Sequence, residues 1–387
     1  MKSTTSERAS IWCTAIPMLG FLMLAAPYAV AQAPSPALLV LEKADASLAI
    51  VDPATLQVEA RVPAGPDPHE IVASPDAKLA YISNYGGSDS SLNTITIVDL
   101  AARKALPPIN LGALRSAHGL TFAGGELYFT VETSKAIGRY DPATQNIDWV
   151  LGTGQDRTHL IVVSAGLDRI VTSNVSSGTV SIIEQVALPN GGFNPPPGGN
   201  ATPPPPPPAG GPRKTWRVTN VPAGHGSEGF DVSPDGKEIW VANAQDATVT
   251  IIDAVNKTVS QTLPISLQRA NRLKITPDGK HVLIAGFGVS GATGANLIVL
   301  DAASRKEVKQ IHLGGPSSGI LTVPDGSRAY VAVTAKNKIA AIDLKTLEVT
   351  GEVLVGKGPD GLAWAQPKIA TTRSDPQGSI KTGPARR

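Results

Sequence analysis

Three histidines stand at the same position in successive copies of a short recurring sequence, and their chemistry suggests a metal site. His69, His118 and His159 each begin a short apolar segment, and Glu228 holds the same position in the next copy. The chain has only 6 histidines, so finding three at one repeat position points to a shared role. Imidazole nitrogens and carboxylate oxygens are ligands that Zn, Cu, Fe or Mn accept in proteins. A divalent metal held by these histidines, with one open coordination position, would activate water or polarise a carbonyl group.

Two glutamates near these histidines are candidates for catalytic roles. Glu228 shares the repeat position of the histidines, and Glu132 ends the second apolar segment of the copy that begins at His118. Glu132 could therefore orient the His118 imidazole or accept a proton during catalysis. The alternative is structural, because repeats arise by duplication and a histidine at such a turn can form a hydrogen bond within its own repeat. The sequence contains no His-Glu-x-x-His motif, so both interpretations stay open.

A set of basic residues precedes the same repeat positions. Arg115, Arg157 and Arg269 lie two or three residues before theirs, and Asn271 holds the repeat position that follows Arg269. Cations that converge on one surface attract a carboxylate or phosphate group, and arginine can contact such groups with two parallel hydrogen bonds. We therefore expect these residues to bind a small anionic substrate. The alternative is an ordinary solvated surface on which neighbouring acidic residues balance the charges.

The candidate residues are positioned by a repeat that consists of an apolar strand, a Pro-Asp turn and a second strand. In residues 226–243 and 318–333 the turn is Pro-Asp-Gly, in which proline fixes φ and glycine accepts positive φ. A third and a fourth strand follow, and four short strands per repeat with Gly, Pro and Asp between them are typical of a propeller blade. The inner strands are predicted to begin at His69, His118, His159, Glu228, Asn271, Ser318 and Asp360.

The predicted strands close into a ring of blades. Residues 38–41, 47–51 and 57–62 supply three strands without an inner one, and residues 360–365 supply only an inner strand. Together the two ends of the chain complete one blade, which removes the sheet edges that an open array would expose. The sequence therefore predicts an all-β, seven-bladed β-propeller over residues 32–365. Its blades are expected to be four-stranded and antiparallel, with the last blade closed by N- and C-terminal strands.

The repeat core resembles that of the YVTN family of β-propeller repeat proteins. The resemblance rests on Ser233-Pro-Asp-Gly-Lys-Glu-Ile-Trp-Val-Ala-Asn243 and Val323-Pro-Asp-Gly-Ser-Arg-Ala-Tyr-Val-Ala-Val333, and it covers essentially the whole mature chain. It implies the propeller fold. More loosely, the chain is similar to lactonase-type seven-bladed propellers. The family includes surface proteins, binding proteins and enzymes, so the resemblance does not decide the function.

Both ends of the chain lie outside the predicted propeller. Residues 1–31 have a basic start, an almost uncharged stretch over residues 11–30 and a small-residue cleavage site, which is typical of a secretory signal peptide. We therefore expect a periplasmic or secreted protein, with a retained membrane anchor as the alternative. No later apolar run is long enough to span a bilayer, so we expect no membrane span in the mature chain. Residues 366–387 lack apolar periodicity and are predicted to be a disordered basic tail.

Composition argues against several classes of function. The only cysteine, Cys13, lies within the predicted signal peptide, so no disulfide, iron–sulfur cluster, thiol nucleophile or covalently attached haem is expected in the mature chain. The sequence has no Gly-rich phosphate cradle, which argues against a nucleotide cofactor. The formal net charge of +2 gives no support to nucleic-acid binding. We expect a monomer.

A Pro-rich insertion interrupts the third blade between its third and fourth strands. Residues 189–212 include six consecutive prolines, which favour an extended polyproline II helix. Such a segment could dock in the aromatic groove of a partner or act as a spacer to the cell envelope. It could equally be a tolerated low-complexity insertion.

Two hypotheses for function follow from these features. The first is an exported β-propeller with a small-molecule and metal site at the mouth of its central channel. Metal-dependent hydrolysis or ring opening of an anionic, lactone-like substrate would take place there. The second is a non-catalytic scaffold that engages a protein or cell-envelope partner. Whether the protein is an enzyme stays open at this point.

Overall fold

The computed structural model of the protein describes residues 36–87, 90–188, 214–288 and 295–367, which form a β-propeller. Seven four-stranded antiparallel sheets, the blades, are arranged in a ring. The predicted all-β, seven-bladed fold is therefore confirmed. The predicted signal peptide, the Pro-rich insertion and the tail beyond residue 367 lie outside the described residues. The predictions of export and of a partner for the insertion accordingly stay predictions.

One blade, blade 7, is built from both ends of the propeller chain, as predicted. Its three outer strands open the fold, and its inner strand closes it, in the order β28-β1-β2-β3. The strands β1 and β28 pair antiparallel, with Leu39 opposite Ala363. These strands are β1 (Ala37–Glu42), β2 (Ser47–Asp52), β3 (Gln57–Pro63) and β28 (Pro359–Ala365).

The other six blades each consist of four consecutive strands, with the first strand innermost. Blade 1 contains β4 (Pro68–Ala73), β5 (Leu79–Asn84), β6 (Thr94–Asp99) and β7 (Lys104–Asn110). Blade 2 contains β8 (Ala117–Ala123), β9 (Glu126–Val131), β10 (Ala136–Asp141) and β11 (Asn146–Gly152). Blade 3 contains β12 (Thr158–Val163), β13 (Arg169–Asn174), β14 (Thr179–Ala187) and β15 (Lys214–Pro222).

The remaining blades follow the same plan. Blade 4 contains β16 (Ser227–Val232), β17 (Glu238–Asn243), β18 (Thr248–Asp253) and β19 (Thr258–Pro264). Blade 5 contains β20 (Ala270–Ile275), β21 (His281–Gly286), β22 (Leu297–Asp301) and β23 (Lys306–Ile311). Blade 6 contains β24 (Ile320–Thr322), β25 (Arg328–Val333), β26 (Lys338–Asp343) and β27 (Glu348–Leu354).

The middle strands of a blade are buried along most of their length because neighbouring blades pack against both faces of the sheet. In β17, Ile239, Trp240 and Val241 are all buried, and Trp240 belongs to the apolar cluster that joins blade 4 to blade 5. The outer strands are instead mostly exposed or partly buried, and β11 alternates between these two states along its whole length. The outer strands therefore border solvent, whereas the middle strands lie between neighbouring blades.

The inner strands approach one another closely around the channel, and glycine permits this approach. A Cβ atom at Gly119 would lie 2.5 Å from the His159 carbonyl oxygen of the next blade, and one at Gly229 would lie 2.5 Å from the Arg272 Cα. Only a residue without a side chain fits such a contact. In blades 1 and 5 the equivalent residues are Glu70 and Arg272, whose side chains extend into the channel region described below.

A buried asparagine ends the second strand in three blades and ties its blade together. Asn243 donates from Nδ2 to Thr248 Oγ1 at 3.0 Å and to Thr250 Oγ1 at 2.9 Å, and its Oδ1 accepts from Ser227 Oγ at 3.2 Å. These bonds satisfy a fully buried amide with hydroxyl groups from the two neighbouring strands, β16 and β18. The three asparagines are Asn84, Asn174 and Asn243.

The inner strands begin close to the predicted positions. In six blades the predicted first residue is the second residue of the strand, as with His118 in β8. In blade 6 the strand β24 is only three residues long, and Ser318 precedes it. Within the described ranges, the helical elements are two short 3₁₀ turns, Lys43–Asp45 and Thr334–Lys336, and no helix there is long and apolar enough to cross a membrane.

Candidate functional site

The three histidines predicted from the repeat lie side by side at one end of the inner strands, here called the mouth. The ring centroids of His69 and His118 are 4.4 Å apart, and those of His118 and His159 are 3.7 Å apart. Tyr85, which follows β5, packs over the first two rings at 5.1 and 5.0 Å. Strands from three successive blades thus bring the imidazoles into one continuous cluster.

His118 lies at the centre of this cluster and is completely buried. Neither of its ring nitrogens has a hydrogen-bond partner among the residues that the structure describes. Burial holds the pKa of His118 well below its ordinary value, and the neighbouring charges of His159 and His69 add to this effect. His118 is therefore a neutral imidazole with a free lone pair, which is the form that binds metals.

His159 is also buried, but its surroundings are acidic. Its Nδ1 lies 2.5 Å from Glu132 Oε1, and its Nε2 lies 3.6 Å from Glu228 Oε1, beyond hydrogen-bond distance. Burial alone would lower the pKa of His159, but the hydrogen bond to Glu132 and the charge of Glu228 outweigh it and raise the pKa. The hydrogen bond at Nδ1 leaves Nε2 as the ring nitrogen that is available to a ligand.

Glu132 directly follows β9 and is the anionic centre of the mouth. It accepts hydrogen bonds from the Tyr85 hydroxyl at 2.6 Å and from Arg157 Nε at 3.3 Å, in addition to its contact with His159. Burial would raise its pKa, but these partners, His159 first among them, lower it to about 2. The carboxylate therefore orients the His159 ring. From the sequence, Glu132 was expected to orient the His118 ring instead.

Together, His118, Glu132 and His159 could hold a metal ion. Each offers one ligand atom, and these three atoms lie within 4.8 Å of one another. His69 has a different environment, because its Nδ1 pairs with Asp360 Oδ2 at 2.6 Å. Burial would raise the pKa of Asp360, but His69 holds it far below its ordinary value, with help from Arg272. The set of ligands thus differs from the three-histidine set expected from the repeat.

Arg272 is a functional candidate that the sequence analysis missed. Its side chain is only 9% exposed and reaches from blade 5 to blade 1, where Nη2 donates to Glu70 Oε1 at 2.6 Å. Its Nη1 lies 3.4 Å from Glu228 Oε1, next to His159. The signal was present in the sequence, because Glu70 and Arg272 stand at a repeat position that holds glycine in blades 2, 4, 6 and 7. The resulting Glu70–Arg272–Glu228 group is called the channel bridge.

Beside the histidines lies a pocket of about 590 Å³ between blades 3, 4 and 5. Arg157, Glu228, Arg269 and Asn271 all line it, so three of the four predicted substrate-binding residues share one pocket with a predicted catalytic glutamate. Arg115 is absent from its lining and instead donates from Nη1 to the Ser91 carbonyl oxygen at 2.6 Å. Asn271 is 3% exposed, and its Oδ1 is unpaired within the described part of the chain.

The residues that directly follow the second strands form a second ring of side chains next to the inner-strand positions. Tyr85 and Glu132 belong to this ring, which is why they contact the histidines. Each member directly follows the second strand of its blade. Lys43 from this ring lies 3.3 Å from Nδ1 of His69, which the sequence analysis did not foresee. The signal available in the sequence was charge, because Lys43 and Glu132 are the charged residues at this position of the repeat. The ring consists of Lys43, Tyr85, Glu132, Val175, Ala244, Phe287 and Thr334.

The other end of the channel region has a different character. A cavity of roughly 310 Å³ there is lined mainly by apolar residues of the inner strands, among them Leu120, Phe230 and Leu362. Glu70 and Arg272 also line this cavity, whereas Glu228 and Asn271 line the pocket at the mouth. The channel bridge therefore lies between the two spaces.

Comparison with known proteins adds information on the fold alone. No protein-family model and no curated protein matches the chain, so the YVTN assignment is not confirmed. The structure is similar to that of a functionally unknown protein from Desulfotomaculum acetoxidans DSM 771, with 13% identity and a TM-score of 0.64, covering 86% of this chain and 100% of that chain. It is also similar to the Kuenenia stuttgartiensis hydrazine synthase, with 16% identity and a TM-score of 0.57, covering 76% of this chain and 89% of that chain.

Proposed function

We propose that the mouth of this propeller binds a divalent metal through His118, Glu132 and His159 and hydrolyses an anionic, lactone-like substrate in the adjoining pocket. The observation that carries the proposal is the burial of His118 with both ring nitrogens unpaired within the described ranges. Leaving a buried polar group without a partner costs about 1–3 kcal/mol, and a bound metal would remove part of that cost.

The donor set fits a metal such as Zn, Cu, Fe or Mn, since it combines two imidazoles with one carboxylate. Such an ion would supply Lewis acidity toward a carbonyl oxygen or a water molecule. Glu132 fixes the orientation of His159 through their hydrogen bond, and Tyr85 and Arg157 fix Glu132 in turn. These contacts hold two of the three proposed ligands, Glu132 and His159, in place beside His118.

The remaining residues of the site have separate tasks in this proposal. Glu228 borders the pocket 3.6 Å from His159 Nε2, where its carboxylate can accept a proton from an attacking water. Arg272 holds Glu228 in place from the other side. Arg157 and Arg269 line the same pocket and provide positive charge for the anionic group of the substrate.

Elemental analysis of protein purified without chelator tests the metal site. Wild type and His225→Ala, a matched control in which an exposed histidine is removed, should carry near-stoichiometric metal. His118→Ala and His159→Ala should lose it, and Glu132→Gln should bind it more weakly, because a neutral amide replaces the charged carboxylate ligand. The proposal fails if wild type binds none of Zn, Cu, Fe or Mn, or if His118→Ala binds as much as wild type.

A panel of lactones then tests the activity. Metal-loaded wild type should open the ring of a carboxylate-bearing lactone, and chelator should abolish this activity until the same metal is restored. Glu228→Gln should retain the metal but lose most of the rate, since general base catalysis contributes on the order of 10²–10⁴-fold. A variant that keeps both metal and rate would remove Glu228 from the mechanism.

A further inference from the structure

The pocket at the mouth has features that specify its ligand more narrowly than negative charge alone. It lies between blades 3, 4 and 5, next to the metal-binding residues, and Arg157, Arg269 and Asn271 line it. Two of these residues are cations and the third presents an amide. The conformation and the partners of each one indicate what the pocket recognises.

Arg157 and Arg269 both have a left-handed backbone, with φ of 54° and 52°. Each lies two residues before the innermost position of its blade, and blades 4 and 7 have Gly226 and Gly358 there, with φ of 72° and 65°. This conformation costs a residue with a Cβ atom roughly 1–2 kcal/mol. Arginine at this position therefore lowers local stability relative to the glycine of blades 4 and 7.

In other blades, a side chain at the same position serves the fold. Asp67 accepts a hydrogen bond from Gly86 N–H at 2.7 Å, and Ser116 donates to the Gly87 carbonyl oxygen at 2.8 Å. Arg269 differs, because its guanidinium forms neither a hydrogen bond nor an ion pair with any residue that the structure describes. It lies 5.7 Å from the centroid of the Phe287 ring, at the edge of the pocket. Its five N–H donors thus remain for a ligand.

Asn271 supplies the second element of recognition. Its side chain is almost fully buried at the pocket, and its Oδ1 has no donor in the described portion of the chain. The cost of this unpaired acceptor is removed when a ligand donates a hydrogen bond, and it remains when a ligand without a donor binds. The pocket therefore favours a ligand with a hydroxyl or N–H group as well as an anionic group.

We propose that this pocket binds a hydroxycarboxylate, with its carboxylate on Arg269 and Arg157 and a hydroxyl that donates to Oδ1 of Asn271. The link to catalysis rests on the proposed function, because ring opening of a lactone produces this class of compound. Water adds its oxygen to the acyl carbon, and the acyl–oxygen bond of the ring breaks. One proton converts the ring oxygen to a hydroxyl, and the other leaves as the new acid ionises. The pocket then holds a carboxylate of the product together with the hydroxyl that the reaction creates.

Isothermal titration with three six-carbon probes tests this specificity. Gluconate carries both groups, hexanoate carries only the carboxylate, and sorbitol carries only hydroxyls. In chelator-treated wild type, gluconate should bind at least 10-fold more tightly than either of the others. Equal binding of gluconate and hexanoate, or no binding of gluconate, would overturn the proposal.

Variants assign each group of the ligand to a residue. Arg269→Met should weaken gluconate and hexanoate alike by 10-fold or more. Asn271→Leu should weaken gluconate by about 10-fold and leave hexanoate unchanged, which also shows that the pocket is still folded. Arg103→Met is the matched control, since Arg103 has the same left-handed backbone in the turn between β6 and β7 and should change neither affinity. A loss of gluconate binding in Arg103→Met equal to that in Arg269→Met would contradict the assignment.

The same titration in His118→Ala separates this proposal from the metal site. Gluconate binding that persists in His118→Ala and disappears in Arg269→Met supports the pocket whether or not a metal binds. Gluconate binding that depends on His118 but not on Arg269 overturns the pocket and leaves the metal site standing. Metal binding is scored independently by elemental analysis, so the two failures cannot be confused.

Discussion

Two groups of buried polar side chains in this propeller differ in whether their polar atoms have hydrogen-bond partners. The asparagines that end the second strands have a partner for each amide group, as the three hydrogen bonds of Asn243 show. At the mouth, both nitrogens of His118 and Oδ1 of Asn271 lack partners among the described residues. The asparagines occur in blades 1, 3 and 4 and bond to hydroxyls of their own blades, whereas His118 and Asn271 stand at the innermost repeat position without such partners in the described part of the chain.

This difference distinguishes buried polar side chains that stabilise a blade from those whose polar atoms remain open to a ligand. Asn243 finds all three of these partners within its own blade, so the geometry of one blade is sufficient to satisfy it. A buried group without partners lowers stability, so the unpaired atoms of His118 and Asn271 support the proposal that the mouth binds a ligand. Pairing, and not burial or polarity, is therefore the property that should decide how each substitution behaves.

Arg272→Met should have the largest effect on stability. The guanidinium is buried between Glu70 and Glu228, and its removal leaves two partly buried carboxylates without their shared cation. Breaking a buried ion pair by removing one partner costs about 3–5 kcal/mol, and urea unfolding measures this loss. The control Arg103→Met removes an exposed ion pair with Glu59 and should cost less than about 1 kcal/mol.

The channel bridge also provides a rescue test. If Arg272→Met is destabilising because it leaves carboxylates unpaired, then adding Glu70→Gln should recover part of the loss. Equal free energies of unfolding for Arg272→Met and Arg103→Met would show that pairing at the mouth does not govern stability.

Asn243→Ala should be the next most destabilising substitution. It leaves the hydroxyls of Thr248, Thr250 and Ser227 without the amide that they share, in a site that excludes water. We expect a loss of about 3 kcal/mol in the free energy of unfolding. Asn256→Ala is the matched control, because this exposed amide has one side-chain bond, to Asp253, and should cost less than about 1 kcal/mol. A similar loss in both variants would break the distinction between the two groups.

The fold could be predicted from the sequence because the same pattern of strands and turns recurs several times along the chain. Each copy carries its own turn and its own apolar strands, so the positions of Asn84 and Asn243 in the blade follow from alignment of the copies alone. The pairing of β1 with β28 followed from counting strands. Local sequence and the requirement to close the ring were sufficient for these conclusions.

The contacts of the site could be predicted only in part, because they cross between blades. Alignment placed His118 and His159 in one ring, but Glu132 contacts the histidine of the following blade and not the one in its own. Arg272 reaches Glu70 across 202 residues of sequence. Such contacts depend on the curvature of the ring of blades and on side-chain length. Neither property can be predicted from the spacing of the repeats.

His118→Phe should have the smallest effect on stability and a complete effect on metal binding. Phenylalanine keeps a flat aromatic ring, larger by one heavy atom, and introduces no polar atom, so it removes two unpaired nitrogens without leaving a partner group unsatisfied. Replacing an unpaired polar group by an apolar one is nearly neutral for stability. We therefore expect the free energy of unfolding, measured in urea with chelator present, to change by no more than about 1 kcal/mol. His159→Phe is the informative counterpart, because it deprives the buried Glu132 of its shortest hydrogen bond and should cost about 2–3 kcal/mol. Both variants should lose the metal. If His118→Phe is instead as destabilising as Asn243→Ala, then His118 belongs with the asparagines as part of the blade, and the unpaired imidazole no longer supports a metal site.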